Sequence, residues 1–531
     1  MYLSFPRFTA DQPALNGKSF LPLNIYRTTK MSDTTAQQRY LLMRYGSMIA
    51  GPLLCALIYF SMPSTYTMAD GSIAAFSSAG RACLGVLVWM AIWWCFETVP
   101  IAVTSMLPMV LFPLFQISKV SAAMAPYASD TVFLFMGAFL LAGGVMRWGL
   151  DRRIALFVMS IIGTTPRKMT FGLMFTTTFL SAFMSNTATA AMMVPVAMAL
   201  IALVHSTRSG NDPHSARQEH NFSLCILLSL AYGASIGGMA TLIGSPPNGI
   251  YMRFMEQTYG QTVSIMDWMK VGVPVTLIMF LAAFFILTSV MFRDIGGEIP
   301  GGKAWVKNEL RSMGRLSHGE IAVGVCFLVA AILWFSGSTL RAIDIDGFRP
   351  FKYLTDAVIA MGMGVLTFMI PVDRKGTMAM DWKTANEAVS WDVLLLFGGG
   401  LSLASAIQHT GVAQLIGAQV SVLAGSPFPA VLFGVITIVT FATGVTSNTA
   451  LAAMMMPLLA AVAQALGLPP QPILMGTALA ASAAFILPIS TPPNAIVFGT
   501  GKIRIIEMLR AGFIINLVAI LVIGGVMLVL D

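Results

Sequence analysis

The sequence predicts an all-α polytopic membrane protein, with about eleven transmembrane helices plus two re-entrant helical hairpins in two inverted repeats. Three observations predict it. Of 531 residues, 56% are hydrophobic and only 10% charged, with a mean hydropathy of +0.79. A water-soluble chain of this length needs far more charge to cover its surface. Apolar runs of about 18 to 20 residues, the length that crosses a bilayer core, recur from end to end. Finally, three motifs occur twice. SNTATAAMMVP at 185–195 matches SNTALAAMMMP at 447–457, VFLFMGAFLLAGG at 132–144 matches VLLLFGGGLSLAS at 393–405, and IGSPPNGI at 243–250 echoes ISTPPNAI at 489–496.

Taken in order, residues 1–40 form a polar segment with Pro6, Pro13 and Pro22, expected to be disordered. No apolar stretch follows a basic start, so no cleavable signal is expected, and Met31 offers a second start. Candidate spans follow at 45–61, 79–96, 99–115, 130–148, 222–243, 270–292, 318–336, 355–371, 391–408, 472–489 and 506–530. Two further apolar stretches, 168–204 and 429–466, are each broken by a polar tripeptide, Ser185-Asn186-Thr187 and Ser447-Asn448-Thr449. Each half is about 17 residues, near the lower limit for a crossing. A hairpin that enters and leaves by one face puts the tripeptide at its tip, which gives those polar side chains a purpose. The expected organisation is a first helix and the start of repeat 1 at 41–116, forming scaffold, and the rest of repeat 1 at 117–292. A cytoplasmic linker at 293–317 and repeat 2 at 318–531 complete it.

The net charge of +8 does not make a nucleic-acid patch, because the basic residues are dispersed among short loops. Clusters around Arg152, Lys168, Arg217, Arg293–Arg315, Lys375 and Arg504 all fall on one side of the proposed topology. The positive-inside rule then places the N-terminus in the cytoplasm and Asp531 outside. Loop 337–354, with Arg341, Arg349 and Lys352, fits this poorly. Five spans lie in each half after the first helix, and an odd number turns the second copy upside down. Inverted repeats of this kind mark secondary carriers, with the site near the midplane.

Cysteines and histidines carry no metal or disulfide pattern. His205, His214 and His220 read as a solvated loop, and Glu97 as an interfacial cap. Asp130, Asp356 and Asp392 each open a span and read as helix caps. The chemistry lies in the duplicated motifs. Each Ser-Asn-Thr ends one half-helix and begins another, so a positive dipole end and a set of free carbonyls meet at one tip. Such carbonyls suit a hard cation, and Ser181 and Thr443, one turn earlier, add hydroxyls. Gly244-Ser245-Pro246-Pro247-Asn248 and Ser490-Thr491-Pro492-Pro493-Asn494 break two further spans and restart them. Ser245 and Thr491 are then N-caps, and a proline takes the first helical position. Unwound backbone at membrane depth survives only where it is buried or lines a cavity. Four helix N-termini converging in this way can bind an anion without Lys or Arg.

These motifs, with WWCFETVPIAVTSMLPMVLFPL at 93–114 and ASAAFILPISTPPNAIV at 481–497, resemble the divalent-anion:sodium symporter family over roughly residues 40–531. The resemblance implies a homodimer whose transport domain moves like an elevator in membrane lipid. It also implies one sodium site at Ser181, Ser185, Asn186 and Gly244, and a second at Thr443, Ser447, Asn448 and Ser490. A small dianionic substrate such as a C4-dicarboxylate would meet Asn186, Thr187, Ser245, Asn448, Thr449, Thr491 and Pro492. No organic cofactor is implied, and sodium is co-transported. The alternatives are a sodium-independent exchanger of the same fold and an anion channel. An enzyme is not expected, because no nucleophile–base pair, HExxH or phosphate loop is present.

Overall fold

The computed structural model describes residues 34–67, 72–207, 213–297, 301–420 and 425–529. Residues 1–33, with Met31, and Asp531 lie outside the described residues. The chain divides into a short unit up to Met43 and a large unit from Arg44 onward, and the larger unit holds nearly all of the helices.

Helix α1 (Thr34–Ser61) leads into strands β1 (Thr65–Thr67) and β2 (Ile73–Ala75), paired antiparallel with Tyr66 opposite Ala74. Helix α2 (Ser78–Cys95) begins at Ser77, whose hydroxyl accepts from the Gly80 amide. The run 99–115, expected as one span, is two helices, α3 (Ile101–Ser105) and α4 (Leu107–Leu114). Pro108 lies at the break, in the first turn of α4, where it supplies no N–H to continue α3. Helix α5 (Val120–Met124) and a 3₁₀ turn precede α6 (Asp130–Trp148), which Gly149 closes in the left-handed region at φ 70°. Then come α7 (Leu150–Ile162), α8 (Pro166–Ser181), α9 (Asn186–Thr207), α10 (Pro213–Gly237), α11 (Pro246–Tyr259) and α12 (Ile265–Phe285).

Linker helix α13 (Gly302–Ser312) separates these from α14 (His318–Arg341), α15 (Asp356–Thr367) and α16 (Trp382–Ala388). The remaining helices repeat the order seen from α6 onward. They are α17 (Trp391–His409), α18 (Val412–Val420), α19 (Phe428–Ala442), α20 (Asn448–Ala465), α21 (Pro470–Ala481), α22 (Pro492–Phe498) and α23 (Ile505–Val529). Both stretches expected as hairpins are therefore helix–break–helix. Asp130, Asp356 and Asp392 stand in the first turn of α6, α15 and α17, one or two places inside the caps Ser129, Thr355 and Ser390. There they complement the positive helix end without capping it.

Among the described residues, ten helices are long and apolar enough to cross a membrane. The shortfall from eleven has local causes. The run 99–115 splits, α15 has 12 residues, and α21 stops at Ala481 where the backbone unwinds. Conversely, the second hairpin arms, α9 and α20, are long enough to cross alone.

The two halves interlock. Helix α11 packs on α20 and α21 of the second half, and α22 packs on α9 and α10 of the first. Helix α10 is buried along most of its length, with Phe222, Ile226, Leu230 and Tyr232 all at 0% exposure. Away from this core, α6 lies against α15, and α17 against α3. Glycines permit the close approach: a Cβ at Gly137 would stand 2.4 Å from the Ala360 carbonyl carbon, and one at Gly399 would stand 2.3 Å from the Ser105 carbonyl oxygen. Apolar side chains along α12, α14 and α23, such as Leu281, Leu328 and Leu521, remain exposed, as lipid contact requires.

Candidate functional site

The first tip is built where α8 stops. Its last residue, Ser181, is fully buried, and its Oγ lies 2.7 Å from Asn186 Oδ1 and 2.7 Å from the Ala234 carbonyl oxygen. A hydroxyl has one proton and can donate to only one of them. Rotating the Asn186 amide resolves the crowding: the two protons of Nδ2 then have Ser181 Oγ at 2.7 Å, Ala234 O at 3.2 Å and Gly244 O at 3.2 Å within reach as acceptors. Three oxygens, Ser181 Oγ, Ala234 O and Gly244 O, thus converge on the Asn186 amide. The amide donor satisfies that arrangement.

The second tip repeats the first. Thr443, also fully buried, places Oγ1 2.6 Å from Asn448 Oδ1 and 2.7 Å from the Ala481 carbonyl oxygen. Ser447 caps α20, accepting from the Ala450 amide. In both tips a hydroxyl one turn before the break holds the asparagine that opens the next helix.

The two proline breaks also share one architecture. Asn248, the third residue of α11, donates through Nδ2 to Gly238 O at 2.9 Å and Thr241 O at 2.8 Å. Asn494, the third residue of α22, donates to Ala484 O at 3.2 Å and Leu487 O at 3.0 Å. Each buried amide thus ties the unwound stretch to the restarted helix and satisfies two carbonyls that the break leaves without helical partners. Thr241 Oγ1 donates to the Ala182 carbonyl and accepts from the Gly244 amide, which links the first break to the first hairpin tip.

Ser245 and Thr491 stand at the N-cap positions as expected, but neither hydroxyl caps its helix. Ser245 Oγ lies 2.9 Å from Ser482 Oγ, so the first break is joined to the start of the second. The Thr491 hydroxyl is buried with no partner among the described residues. Thr187 and Thr449 follow the tip asparagines, half-buried, and Pro492 is exposed.

Of the expected sodium ligands, Ser181, Asn186 and Gly244 come together, and so do Thr443 and Asn448. Ser185 gives its carbonyl to the Thr189 amide in the first turn of α9. Ser490 Oγ donates to the Leu487 carbonyl and accepts from the Leu487 amide, closing its own turn. Ala234 and Ala481 escape a reading of the sequence, because they contribute only backbone oxygens and leave no side-chain signal. Thr241, Ser482 and Gly238 escape it too. A Cβ at Gly238 would stand 2.6 Å from Asn186 Oδ1, and the Gly237-Gly238 pair was the available clue.

The model of the sodium:sulfate symporter transmembrane region matches residues 66–529. The chain belongs to this family. Membership makes it an integral membrane transport protein and not an enzyme. Among curated relatives, it is 35% identical to the sodium-dependent dicarboxylate transporter SdcS of Staphylococcus saprophyticus, over 84% of this chain and 85% of that one. It is 38% identical to SdcS of Staphylococcus aureus, over 69% of this chain and 70% of that one. Two solved membrane transporters share the fold: Neisseria gonorrhoeae MtrF, at TM-score 0.54 and 14% identity, covering 92% of this chain and 94% of that one, and Alcanivorax borkumensis YdaH, at TM-score 0.53 and 13% identity, covering 92% and 97%. In this chain both Ser-Asn-Thr tips bring together a hydroxyl, an asparagine and a broken backbone. The five cysteines are all unpaired, and no cluster of potential metal-ligating side chains exists among the described residues. The histidines of the 205–220 region meet Glu219, Asp294 and Glu507 in exposed pairs.

Proposed function

We propose that this chain is a secondary active transporter that imports divalent anions, C4-dicarboxylates such as succinate or malate foremost, coupled to sodium. The observation that carries the reading is the paired cluster of hydroxyl, asparagine amide and backbone carbonyl at Ser181–Asn186–Ala234 and Thr443–Asn448–Ala481, read here as two sodium cages. A dianion near the bilayer midplane needs counter-charge. Helix N-termini supply only about half a charge each. Two sodium ions in two cages supply the rest. The names of the SdcS relatives, which are sodium-dependent dicarboxylate transporters, support the same assignment. In this reading the anion lies between the two tips, against Asn186, Thr187, Asn448, Thr449 and the Ser245 and Thr491–Pro492 turns.

The protein works as a homodimer in a bacterial inner membrane, N-terminus in the cytoplasm and C-terminus outside. The interlocked α8–α11 and α19–α22 move together as the transport domain, an elevator against the scaffold built around α2–α4 and α14–α15. The repeated order of α6–α12 and α17–α23 supports the inverted duplication. An exchanger of the same fold is the second reading, and it has no use for the oxygen cages.

Thr187→Val and Thr449→Val keep side-chain shape and remove one hydroxyl each. A hydrogen bond to a charged group is worth about 1.5–3 kcal/mol. The expected result is a rise of roughly tenfold or more in the KM for succinate, with the thermal melting point unchanged. Labelled uptake into proteoliposomes measures it, and unchanged kinetics in both variants would remove these hydroxyls from the anion site.

A further inference from the structure

An open groove of about 650 Å³, lined by no residue of the hairpin tips, lies between α7 and the linker helix α13 with the loop that follows it. Its walls are apolar, formed by Ile154, Phe157, Leu310 and Leu316, and Arg311 and Arg315 stand on its rim. Both arginines are exposed, and no carboxylate pairs with either among the described residues. Their neighbours are different. Arg152 is paired with Glu309, and Arg153 is held by Glu320 at 2.5 Å and by the Gly314 carbonyl at 2.9 Å. Arg153 therefore builds the floor that fixes the loop, and the two rim arginines are left with unmatched charge.

The groove's depth in the membrane follows from the spans beside it. One span ends at Trp148, two residues before α7 begins, and another begins at His318, two residues after Leu316. A groove bounded by 150–157 and 310–316 thus sits where two spans leave the hydrocarbon. Phe157 and Ile161, exposed on the same helix, face that boundary at 55% and 69%. An amphipathic helix at this level rests in the headgroup region with its apolar side toward the acyl chains.

We infer that this groove is a binding site for an anionic phospholipid, with the acyl chain along Ile154, Phe157, Leu310 and Leu316 and the phosphate between Arg311 and Arg315. The charge complementarity is specific: guanidinium groups match phosphate oxygens in a bidentate manner, and a zwitterionic headgroup would set its own cation against them. A soluble phosphate ester would gain the arginines and forfeit the apolar wall. Because α7 leads directly into α8 and the first tip, a lipid here fastens the entry to the hairpin onto the linker between the two halves.

The test uses full-length protein purified in mild detergent with phosphatidylglycerol or phosphatidylcholine, and native mass spectrometry to read bound lipid. The expected result is retention of phosphatidylglycerol over phosphatidylcholine. Each arginine near an anionic surface is worth about a fivefold factor, so Arg311→Gln with Arg315→Gln should reduce retention about twenty-five-fold. Arg311→Lys with Arg315→Lys, which keeps the charge and loses the bidentate fork, should fall between the wild type and the Gln pair, and glycerol phosphate should not displace the lipid. Both positions are exposed, so an unchanged melting point is expected in the variants. Equal retention of the two lipids, or of phosphatidylglycerol by the Gln pair and the wild type, would overturn the assignment. Complete displacement by glycerol phosphate would replace it with a soluble-anion site.

Discussion

Gly238→Ala should cripple sodium-dependent uptake while leaving the protein in the membrane. The new Cβ would lie 2.6 Å from Asn186 Oδ1, 2.9 Å from its Nδ2 and 3.0 Å from the Gly244 carbonyl oxygen. The α10 terminus cannot retreat easily, because at the adjacent Gly237 a Cβ would already stand 2.2 Å from the Thr178 carbonyl oxygen. Asn186 must therefore give way, and with it the oxygen that faces the ion. Overpacking of this kind costs about 1–3 kcal/mol. Imposed on the ion-bound geometry, it raises the sodium concentration for half-maximal uptake by about five- to hundredfold. Gly434→Ala is the matched control, since nothing lies within 4 Å of its added methyl. Titration of labelled uptake against sodium reads both variants. An unchanged sodium dependence in Gly238→Ala would show that the cage is not where the ion binds.

The largest effect is expected when both cages lose their hydroxyls. Ser181→Ala removes the hydroxyl at the first tip, and Thr443→Ala removes the matching one at the second. Each hydroxyl also positions the asparagine that follows its break. At about 1.5–3 kcal/mol for a charged partner, each single change weakens sodium binding by roughly ten- to a hundredfold. The tips act on one transported anion, so the double variant should lose uptake almost entirely at sodium concentrations that saturate the wild type. Thr443→Ser, which keeps the hydroxyl, should recover much of the activity. A double variant with wild-type sodium dependence would separate the hydroxyls from coupling.

Much of this site is legible in the sequence because its parts are punctuation. Proline and Ser-Asn-Thr interrupt apolar runs, and an interruption at membrane depth needs a reason. The duplication of those interruptions doubles the signal. Asn186, Asn448, Ser181 and Thr443 can be placed at the tips from spacing alone. What spacing cannot show is partnership across the two halves. Ser245 reads as an N-cap in its own segment, yet its hydroxyl meets Ser482, 237 residues away. The family resemblance implies a ligand from the backbone near Ser490, and spacing gives no sign that the Ser490 side chain closes its own turn with Leu487. Ala234 and Ala481 act through carbonyls that any residue carries.

The fold divides in the same way. Long apolar runs such as 318–336 and 506–530 give helices close to the expected bounds, because a spanning helix must satisfy its own backbone. The run 99–115 fails as a single helix because Pro108 breaks it, although by hydropathy it passes as one more apolar residue. The short helices α7, α13 and α18 escape notice because they are too short or too polar for a span-length window. Two of them, α7 and α13, form the groove inferred to hold lipid.

If two sodium cages drive the uptake of a dianion, the ratio of fluxes tests this most directly. Proteoliposomes carrying the purified protein would be given labelled sodium and labelled succinate together, under a clamped membrane potential. Succinate is expected to enter only with sodium, at two or more sodium ions for each succinate. Where sodium exceeds the dianion's charge, an inside-negative potential should accelerate uptake. Succinate entry that ignores sodium and requires dicarboxylate preloaded inside the vesicles would contradict sodium coupling through the cages.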